Sequence, residues 1–150
     1  KTFNKNNNVT IIDPVNLYGC TLNDNVFIGP FTEIQNDVTI GERTRIQSHS
    51  FICSNVTIGD DCFVGHGVMF VNDKFTDGKL SPPDEDLLST TIGDNVLIGS
   101  NATILPVDIC SDVTIGAGAV VTKDITQPGT YVGNPARRVN GPGPYQKYDN

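Results

Sequence analysis

The stretch NVFIGPFTEIQNDVTIGERTRIQ, residues 25–47, repeats one pattern every six residues. In each unit an apolar residue is preceded, two places earlier, by a small or β-branched residue. The apolar position recurs without a miss as Leu22, Ile28, Ile34, Ile40, Ile46, Ile52, Ile58, Val64 and Phe70. A period of six fits neither an α-helix nor the simple alternation of one long strand. It predicts short extended segments that turn at regular intervals.

Within each unit, the apolar residue and the residue two places before it are expected to point inward, because side chains alternate along a strand. Glycine follows the apolar residue at Gly29, Gly41, Gly59 and Gly65, and we expect it to form the bend between units. Three units of six make an 18-residue coil, and neighbouring coils would stack about 4.8 Å apart. The sequence therefore predicts an all-β, parallel β-helix whose coils stabilise one another.

The repeat has two irregularities. It stops after Phe70 and resumes in a shifted phase at Ile92, which predicts a long loop at about residues 72–91. Loops of this length are uncommon in compact domains and are often functional. From Ile104 the next apolar position, Ile109, follows after five residues, so one residue is missing within LPVD, residues 105–108. We expect a single domain over residues 1–150, with coils at about 9–125 and a C-terminal cap and tail at 126–150.

Composition narrows the classes of function. The chain of 150 residues carries a formal net charge of −7, which disfavours nucleic acid as a partner. It contains no apolar run that approaches the roughly 18 residues needed to span a bilayer, and we see no apolar signal-peptide core ahead of the repeat. We therefore expect a cytoplasmic protein without a membrane partner. The four cysteines form no Cys-x-x-Cys pair, and we expect them to be reduced and buried.

Polar residues gather where the repeat stops. Asn72 follows Phe70 by two places, and counting back by one coil at a time gives Ser54 and then Asn36. These three side chains should form an outward column at one corner of the coil, with Asp73 and Lys74 beside its upper end. We predict that this column binds a substrate, because the long loop leaves the coil directly above it.

A second group of residues lies toward the C-terminus. Ser100 and Ala117 are small residues just past the apolar position, and they would leave the backbone accessible to an extended ligand. Lys123, Arg137 and Arg138 are basic and could pair with phosphates. This group is therefore a candidate cofactor site.

Taken together, these motifs resemble those of the hexapeptide-repeat acyltransferases. The strings IGAGAVVTKDI (residues 115–125) and GNPAR (residues 133–137) are similar to the coenzyme-A-binding end of that family. The resemblance implies a left-handed parallel β-helix with three hexapeptides per triangular coil, acetyl-CoA as co-substrate and no metal. It also implies that Ser100 and Ala117 bind the pantetheine arm through their backbone groups, with the three basic residues near the nucleotide phosphates.

Two further strings narrow the resemblance. FICSNVTIGDDCF (residues 51–63) and GHGVMFVNDKF (residues 65–75) look like the branch that acetylates 3-amino sugars attached to a nucleotide. In that branch the Asn-Asp pair, here Asn72 and Asp73, contacts the sugar amine, and the enzymes are homotrimers with sites between subunits. The implied reaction is acetyl transfer to the 3-amino group of a dTDP-linked 3-amino-3,6-dideoxyhexose, which feeds bacterial surface polysaccharide such as O-antigen, lipopolysaccharide or S-layer glycan.

The resemblance is incomplete at two positions of the column. Relatives often carry an acid where this chain has Ser54, and sometimes a histidine where it has Asn36. We therefore expect the amine to attack directly, because a deprotonated amine is already a nucleophile and needs no strong general base. The enzyme would hold the amine about 3–3.5 Å from the thioester carbon. Asn72 would orient the amine, and Asp73 would accept a proton or balance the developing positive charge.

Three alternatives keep the fold and change the function. His66 follows Val64 by two places and could act as the general base of an O-acetyltransferase that modifies a sugar hydroxyl; His49 is more simply a surface residue. A zinc hydratase resembling the gamma-class carbonic anhydrases would need three protein ligands, and the two histidines are 17 residues apart. A non-catalytic scaffold or ice-binding surface would need a flat, repetitive outer face, whereas the outward residues look varied.

Overall fold

The protein folds as a three-sided parallel β-helix in a computed structural model that describes residues 2–82 and 87–139. Three short strands make each coil. The first three coils contain β1 (Asn4–Lys5), β2 (Thr10–Ile11) and β3 (Asn16–Leu17), then β4 (Cys20–Leu22), β5 (Phe27–Ile28) and β6 (Glu33–Ile34), then β7 (Val38–Ile40), β8 (Arg45–Ile46) and β9 (Phe51–Ile52). The next three contain β10 (Val56–Ile58), β11 (Phe63–Val64) and β12 (Met69–Phe70), then β13 (Thr90–Ile92), β14 (Leu97–Ile98) and β15 (Thr103–Ile104), then β16 (Asp108–Ile109), β17 (Val113–Ile115) and β18 (Val120–Val121). Two strands follow, β19 (Gly129–Val132) and β20 (Arg137–Arg138).

Strands one coil apart pair in parallel and build three sheets, here called faces. Face A contains β1, β4, β7, β10, β13 and β16; face B contains β2, β5, β8, β11, β14, β17, β19 and β20; face C contains β3, β6, β9, β12, β15 and β18. The chain turns between faces at the A–B, B–C and C–A corners. The predicted parallel β-helix is confirmed, and its first strand begins at Asn4, earlier than expected. Among the described residues, no helix is long and apolar enough to cross a bilayer.

The core is a stack of the apolar positions that define the repeat. Every one of the nine residues from Leu22 to Phe70 in that pattern is buried, as are Ile92, Ile98, Ile104, Ile109 and Ile115 beyond the loop. The residues two places earlier also point inward. At two of these positions the hydroxyl donates to a backbone carbonyl: Thr44 Oγ1 to Gly59 O at 2.7 Å and Ser50 Oγ to Gly65 O at 2.9 Å. The inward positions predicted from the sequence are therefore confirmed.

The bends are made by residues that the sequence prediction did not identify. The third residue after each apolar position from Leu22 to Val64 has a left-handed backbone, with φ between 55° and 65°. These residues are Asn25, Phe31, Asp37, Arg43, His49, Asn55, Asp61 and Gly67. Asn and Asp adopt this region more readily than most residues, which explains their recurrence. The prediction that Gly29, Gly41, Gly59 and Gly65 form the bends was wrong, since none of them has a positive φ.

Those glycines are needed for space instead. A Cβ on Gly29 would lie 2.7 Å from Ser48 N, and a Cβ on Gly65 would lie 2.8 Å from both Ile98 O and Ser100 N. The backbone of the next coil passes so close to these positions that any side chain would push it away. Glycine after the apolar residue therefore permits tight stacking of coils.

Two corners are shorter than the others by one residue. Ile92 in the fifth coil pairs with Ile109 in the sixth, which confirms the residue predicted to be missing within residues 105–108. The first coil is shortened in the same way, because Asn4 pairs with Thr21. In the sequence, Leu22 follows Leu17 by five residues instead of six, which also indicates a missing residue. This pair lies before the stretch from which the other short corner was predicted.

A hairpin and its connection close the C-terminal end of the stack. On face B, β19 pairs in parallel with β17, and β20 folds back antiparallel to β19. Ile125 forms a bridge with Ile109 on face A, and Val120 on face C bonds through its backbone to Gly133 and Ala136. Each face therefore has a cover. Residues 83–86 of the predicted loop and 140–150 of the predicted tail lie outside the described residues.

Acidic side chains hold coils together at the A–B corner. Asp60 Oδ1 accepts from the backbone N–H of Glu42 at 2.8 Å, and Asp94 Oδ1 accepts from that of Asp60 at 2.8 Å. Arg43 Nε donates to Asp61 Oδ1 at 2.7 Å, and this hydrogen bond lowers the pKa of the Asp61 carboxyl. Part of the negative charge of the chain is therefore structural.

Face A carries a repetitive outer column. Thr21, Thr39, Thr57 and Thr91 pair with one another on consecutive coils and alternate with buried residues. The expectation of varied outward residues is correct for faces B and C and wrong for face A. The column is one residue wide in each coil and ends at Asp108.

We predict that Gly93→Ala lowers the free energy of unfolding by about 1–3 kcal/mol through overpacking. Its methyl group would lie 2.6 Å from the backbone nitrogen of Ser111. Gly118→Asn is the control, because Gly118 has a φ of +69° and no heavy atom within 4 Å of a built Cβ, and its cost should stay within about 0.5 kcal/mol. Denaturant unfolding measures both, and an equal or larger loss in Gly118→Asn would contradict the steric explanation.

Candidate functional site

The structure places the predicted site residues on two corners of the coil. His66, Ser100 and Ala117 occupy equivalent positions of the B–C corner on the fourth, fifth and sixth coils. Asn36, Ser54 and Asn72 occupy equivalent positions of the C–A corner on the second, third and fourth coils. Lys123 lies on the C–A corner of the sixth coil. Face C, one full side of the triangle, separates the two groups.

The lower part of the C–A column is a hydrogen-bonded unit. The Ser54 hydroxyl donates to Asn36 Oδ1 at 3.0 Å, and Asn36 Nδ2 donates to Asp37 Oδ2 at 2.9 Å. Ser54 is buried, and its backbone N–H donates to Gln35 Oε1 at 3.3 Å. Asn72 is half-buried one coil above. The Asn36–Ser54 contact, which joins two neutral side chains, therefore lies directly below the coil that carries Asn72.

Asp73 organises the start of the loop. Its Oδ1 accepts from the backbone N–H of Phe75 at 2.8 Å and from Ser81 Oγ at 3.2 Å, and its Oδ2 accepts from the backbone N–H of Ser81 at 2.8 Å. The backbone hydrogen bonds from Ser81 and Phe75 lower the pKa of the Asp73 carboxyl. Asp73 is therefore a fixed carboxylate and a weak proton acceptor.

The loop, residues 71–89, leaves the C–A corner and returns to it. Its described part, residues 71–82 and 87–89, includes the 3₁₀ turn Thr76–Gly78, and Asn55 Nδ2 donates to Leu87 O at 3.2 Å near its return. Lys74 is exposed. Phe75, Leu80 and Leu88 expose 60%, 76% and 48% of their surface. The loop therefore presents apolar surface beside the Asn72–Asp73 pair.

His66 is the titratable residue of the B–C column. Its Nδ1 lies 3.1 Å from Ser48 Oγ, one coil below. Its backbone N–H donates to Ser100 Oγ at 3.2 Å, one coil above. The side chain is exposed, so the imidazole stands beside the residues assigned to the pantetheine arm.

The basic residues assigned to phosphates are not all together. Arg137 and Arg138 lie on β20 at the capped end of face B, and Arg137 is opposite Val132. Arg138 Nη2 donates to Pro128 O at 2.9 Å, so this residue also ties down the cap, a role that sequence reasoning missed. Lys123 is exposed on the C–A corner, away from Ala117 in the same chain.

The cysteines are not organised for nucleophilic chemistry. Cys20, Cys53 and Cys62 are free and buried, as expected, whereas Cys110 is only partly buried, which corrects the expectation for that residue. Burial raises the pKa of the Cys53 thiol to about 11 and also raises those of Cys20 and Cys62. Within residues 2–82 and 87–139, no group of three or more His, Cys, Asp or Glu side chains is arranged to hold a metal ion.

Two models of protein families match consecutive parts of the chain. "Bacterial transferase hexapeptide (six repeats)" matches residues 19–54, and "Hexapeptide repeat of succinyl-transferase" matches residues 55–69 and 89–123. Together they follow the coils on both sides of the loop and cover more than half of the 150 residues. The chain belongs to the hexapeptide-repeat transferases.

Curated relatives extend well beyond this chain. The bifunctional protein GlmU of Limosilactobacillus fermentum is 37% identical over 123 residues, which are 81% of this chain and 24% of that protein. GlmU of Streptococcus suis is 37% identical over 116 residues, covering 77% and 23%. The chain thus spans about a quarter of the length of the curated relatives it matches.

Solved structures with the same fold include two enzymes that transfer acyl groups. A mutant of AntD, an N-acyltransferase from Bacillus cereus in complex with dTDP and coenzyme A, has a TM-score of 0.79 and 23% identity, covering 91% of this chain and 81% of that one. A mutant of perosamine N-acetyltransferase from Caulobacter crescentus has a TM-score of 0.67 and 20% identity, covering 89% and 54%. At these identities the likeness establishes the fold alone.

We predict that Asp73→Asn loosens the loop, because an amide is a weaker acceptor for the backbone N–H groups of Phe75 and Ser81. Hydrogen exchange at those two amides should speed up, whereas Asp77→Asn in the same loop should leave it unchanged. The pKa of Asp73 is lowered in the folded state, so its contribution is complete above the ordinary carboxyl pKa and is lost as the pH falls through the lowered value. Unchanged exchange in Asp73→Asn would contradict this role.

Proposed function

We propose that the protein transfers the acetyl group of acetyl-CoA to the 3-amino group of a dTDP-linked 3-amino-3,6-dideoxyhexose. The observation that carries the proposal is the Asn72–Asp73 pair at the point where the loop leaves the C–A corner, above the Asn36–Ser54 contact. AntD in complex with dTDP and coenzyme A, and the perosamine enzyme in complex with CoA and GDP-perosamine, support a nucleotide-linked sugar acceptor and a CoA donor.

The complete site would lie between subunits of a homotrimer. CoA along Ser100 and Ala117 and a sugar at Asn72 are on different corners of one chain, so the B–C corner of one subunit would meet the C–A corner of the next. A contact between two different surfaces closes into a ring when the rotation allows it. The exposed Phe75 and Leu80 of the loop support this arrangement, because exposed apolar patches often mark protein interfaces.

The same arrangement would bring the basic residues of two neighbouring subunits close to one CoA molecule. Arg137 and Arg138 on the cap would approach the phosphates of the CoA bound along their own corner. Lys123 lies on the C–A corner, so it would reach that CoA from the neighbouring subunit. Charge-assisted hydrogen bonds from both subunits would then hold the nucleotide end of the cofactor.

The Asn72 amide and the Asp73 carboxylate favour direct attack by the amine. The lowered pKa keeps Asp73 ionised near neutral pH, where it would balance the positive charge that develops on the attacking nitrogen. The Asn72 amide oxygen would accept an amine N–H and direct the nitrogen lone pair toward the thioester carbon. A backbone N–H would stabilise the tetrahedral oxyanion. The C–S bond then breaks, and the departing CoA thiolate takes the proton released by the amine.

An O-acetyltransferase is the second candidate, and the position of His66 favours it. The imidazole stands one coil below Ser100, beside the column assigned to the pantetheine arm. A general base must come within hydrogen-bond reach of the hydroxyl that it deprotonates. The partner of His66 Nδ1 is the Ser48 hydroxyl, and we place the amine reaction first because of the Asn72–Asp73 pair at the start of the loop.

Release of free CoA distinguishes the two reactions. Full-length protein with acetyl-CoA should release CoA with a dTDP-linked 3-amino-3,6-dideoxyhexose and not with the sugar that carries a hydroxyl at the same carbon. The amine is the stronger nucleophile without a general base. Release with the hydroxyl sugar alone would contradict N-acetyl transfer.

Substitutions at the two corners test the mechanism. His66→Asn should change kcat/KM for the amino sugar less than about threefold and leave its pH profile in place. Asn72→Ala should lower kcat/KM by about a hundredfold, because a misplaced nucleophile costs that much. A complete loss in His66→Asn with a small effect of Asn72→Ala would support the general-base mechanism instead.

A further inference from the structure

An exposed aromatic pair lies at the N-terminal end of the B–C corner, outside the residues assigned above. The rings of Phe31 and His49 are stacked, with centroids 4.9 Å apart and an interplanar angle of 23°. Phe31 nevertheless exposes 58% of its surface. A flat ring that is covered on one side and accessible elsewhere can receive another flat ring.

Phe31 occupies an unfavourable backbone position. Its φ is 62°, in the left-handed region, where the preceding and following corners use Asn25 and Asp37. A bulky residue is an outlier in this region, whereas Asn and Asp are enriched there. Strain of this kind is concentrated at functional sites. Phe31 is therefore a bulky apolar residue at an exposed left-handed position that Asn25 and Asp37 occupy on neighbouring corners.

An open cavity adjoins the exposed ring. It has a volume of about 340 Å³ and is lined by Pro14, Val15, Asn16, Phe31, Thr32 and Glu33. This volume is at the lower end of the range for small-molecule sites. The wall combines an aromatic ring with polar side chains, which is the composition that orients a flat polar ligand.

Glu33 supplies fixed acceptors on the cavity wall. Its Oε1 accepts from Asn16 Nδ2 at 2.5 Å and its Oε2 accepts from Gln35 Nε2 at 3.1 Å. An ionised carboxylate has about four acceptor positions, so each oxygen can accept a further hydrogen bond. The amides hold the carboxylate in place, and a ligand that presents an N–H to it would be bound with charge assistance.

We propose that Phe31, His49 and Glu33 form the subsite for the base of the nucleotide that carries the acceptor sugar. The base stacks on Phe31 and donates a ring N–H to Glu33, as single-stranded nucleic-acid sites stack bases on aromatic residues and read their edges. Thymine, uracil and guanine carry a ring N–H at the pairing edge, whereas cytosine and adenine carry an acceptor there. The identity of the ligand as a sugar nucleotide rests on the proposed function.

The order of groups along the B–C corner agrees with this assignment. Phe31, His49, His66 and Ser100 lie on the second to fifth coils in turn. Adjacent coils are about 4.8 Å apart. The base therefore lies toward the N-terminal end of the corner and CoA toward the C-terminal end, with the sugar and the acetyl group between them.

Calorimetric titration with nucleoside diphosphates tests the subsite without any acetyl transfer. The full chain is titrated separately with dTDP, UDP, GDP, CDP and ADP. One of the first three should bind at least about tenfold more tightly than CDP and ADP. Phe31→Leu keeps an apolar side chain at the same backbone position and should weaken the favoured nucleotide by about tenfold, since stacking on an aromatic side chain contributes that much. Glu33→Gln should reduce the preference among the bases.

Phe63→Leu is the matched control. Phe63 is also an exposed phenylalanine, with 39% of its surface exposed, but it lies on face B, and its replacement should leave nucleotide binding unchanged. Each variant is also measured by gel filtration and thermal unfolding. Three results would overturn the proposal: equal binding of all five nucleotides, wild-type binding by Phe31→Leu, or loss of binding in Phe31→Leu that accompanies a change of oligomeric state.

The subsite and the proposed function can fail separately. If a favoured nucleotide binds through Phe31 while no amino sugar is acetylated, the subsite stands and the proposed reaction is wrong. If amino sugars are acetylated but Phe31→Leu leaves the KM for the sugar nucleotide unchanged, the reaction stands and the subsite is wrong.

Discussion

The whole structure depends on the parallel hydrogen bonding of each short strand with the strand one coil later. Most strands contain only two or three residues, so no coil has enough contacts to be stable by itself, and stability comes from stacking. The pairing also fixes which side chains are neighbours. A residue lies beside the one 18 positions later, as Ile34 pairs with Ile52, or 17 positions later where a corner is short, as Ile98 pairs with Ile115. Across the loop the separation is 34 positions, as Val64 pairs with Ile98.

The spacing of residues in the sequence was sufficient to predict which side chains this pairing brings together. The inward ladder, the column of Asn36 and Ser54 and the short corner near Leu105 all follow from counting, and the structure has them. The hand of the helix came from the resemblance, because a period carries no chirality. The bends were missed because the left-handed position accepts residues as different as Asn25, Phe31 and Arg43. The hydrogen bonds of Asp73 were missed because the loop has no period.

The three corners differ in what they carry. The A–B corner is occupied by acids that bind backbone groups and Arg43. The B–C corner has accessible backbone at Ser100 and Ala117, the imidazole of His66 and the exposed ring of Phe31. The C–A corner has Asn72, Asp73 and the loop. Because the coil register keeps B–C and C–A on opposite edges of face C, the proposed chemistry requires two subunits, and the apolar loop is the surface that would join them.

Mixed oligomers test this central claim most directly. Asn72→Ala impairs the C–A corner, and Ala117→Trp blocks the exposed B–C corner, so each variant alone should keep about a hundredth of the wild-type activity or less. Co-expressed with different tags and purified as mixed trimers, they should recover about a third of the wild-type activity, because a ring with either mixed composition has one junction in three that pairs two intact corners. Mixed trimers that remain inactive would contradict a site built between subunits.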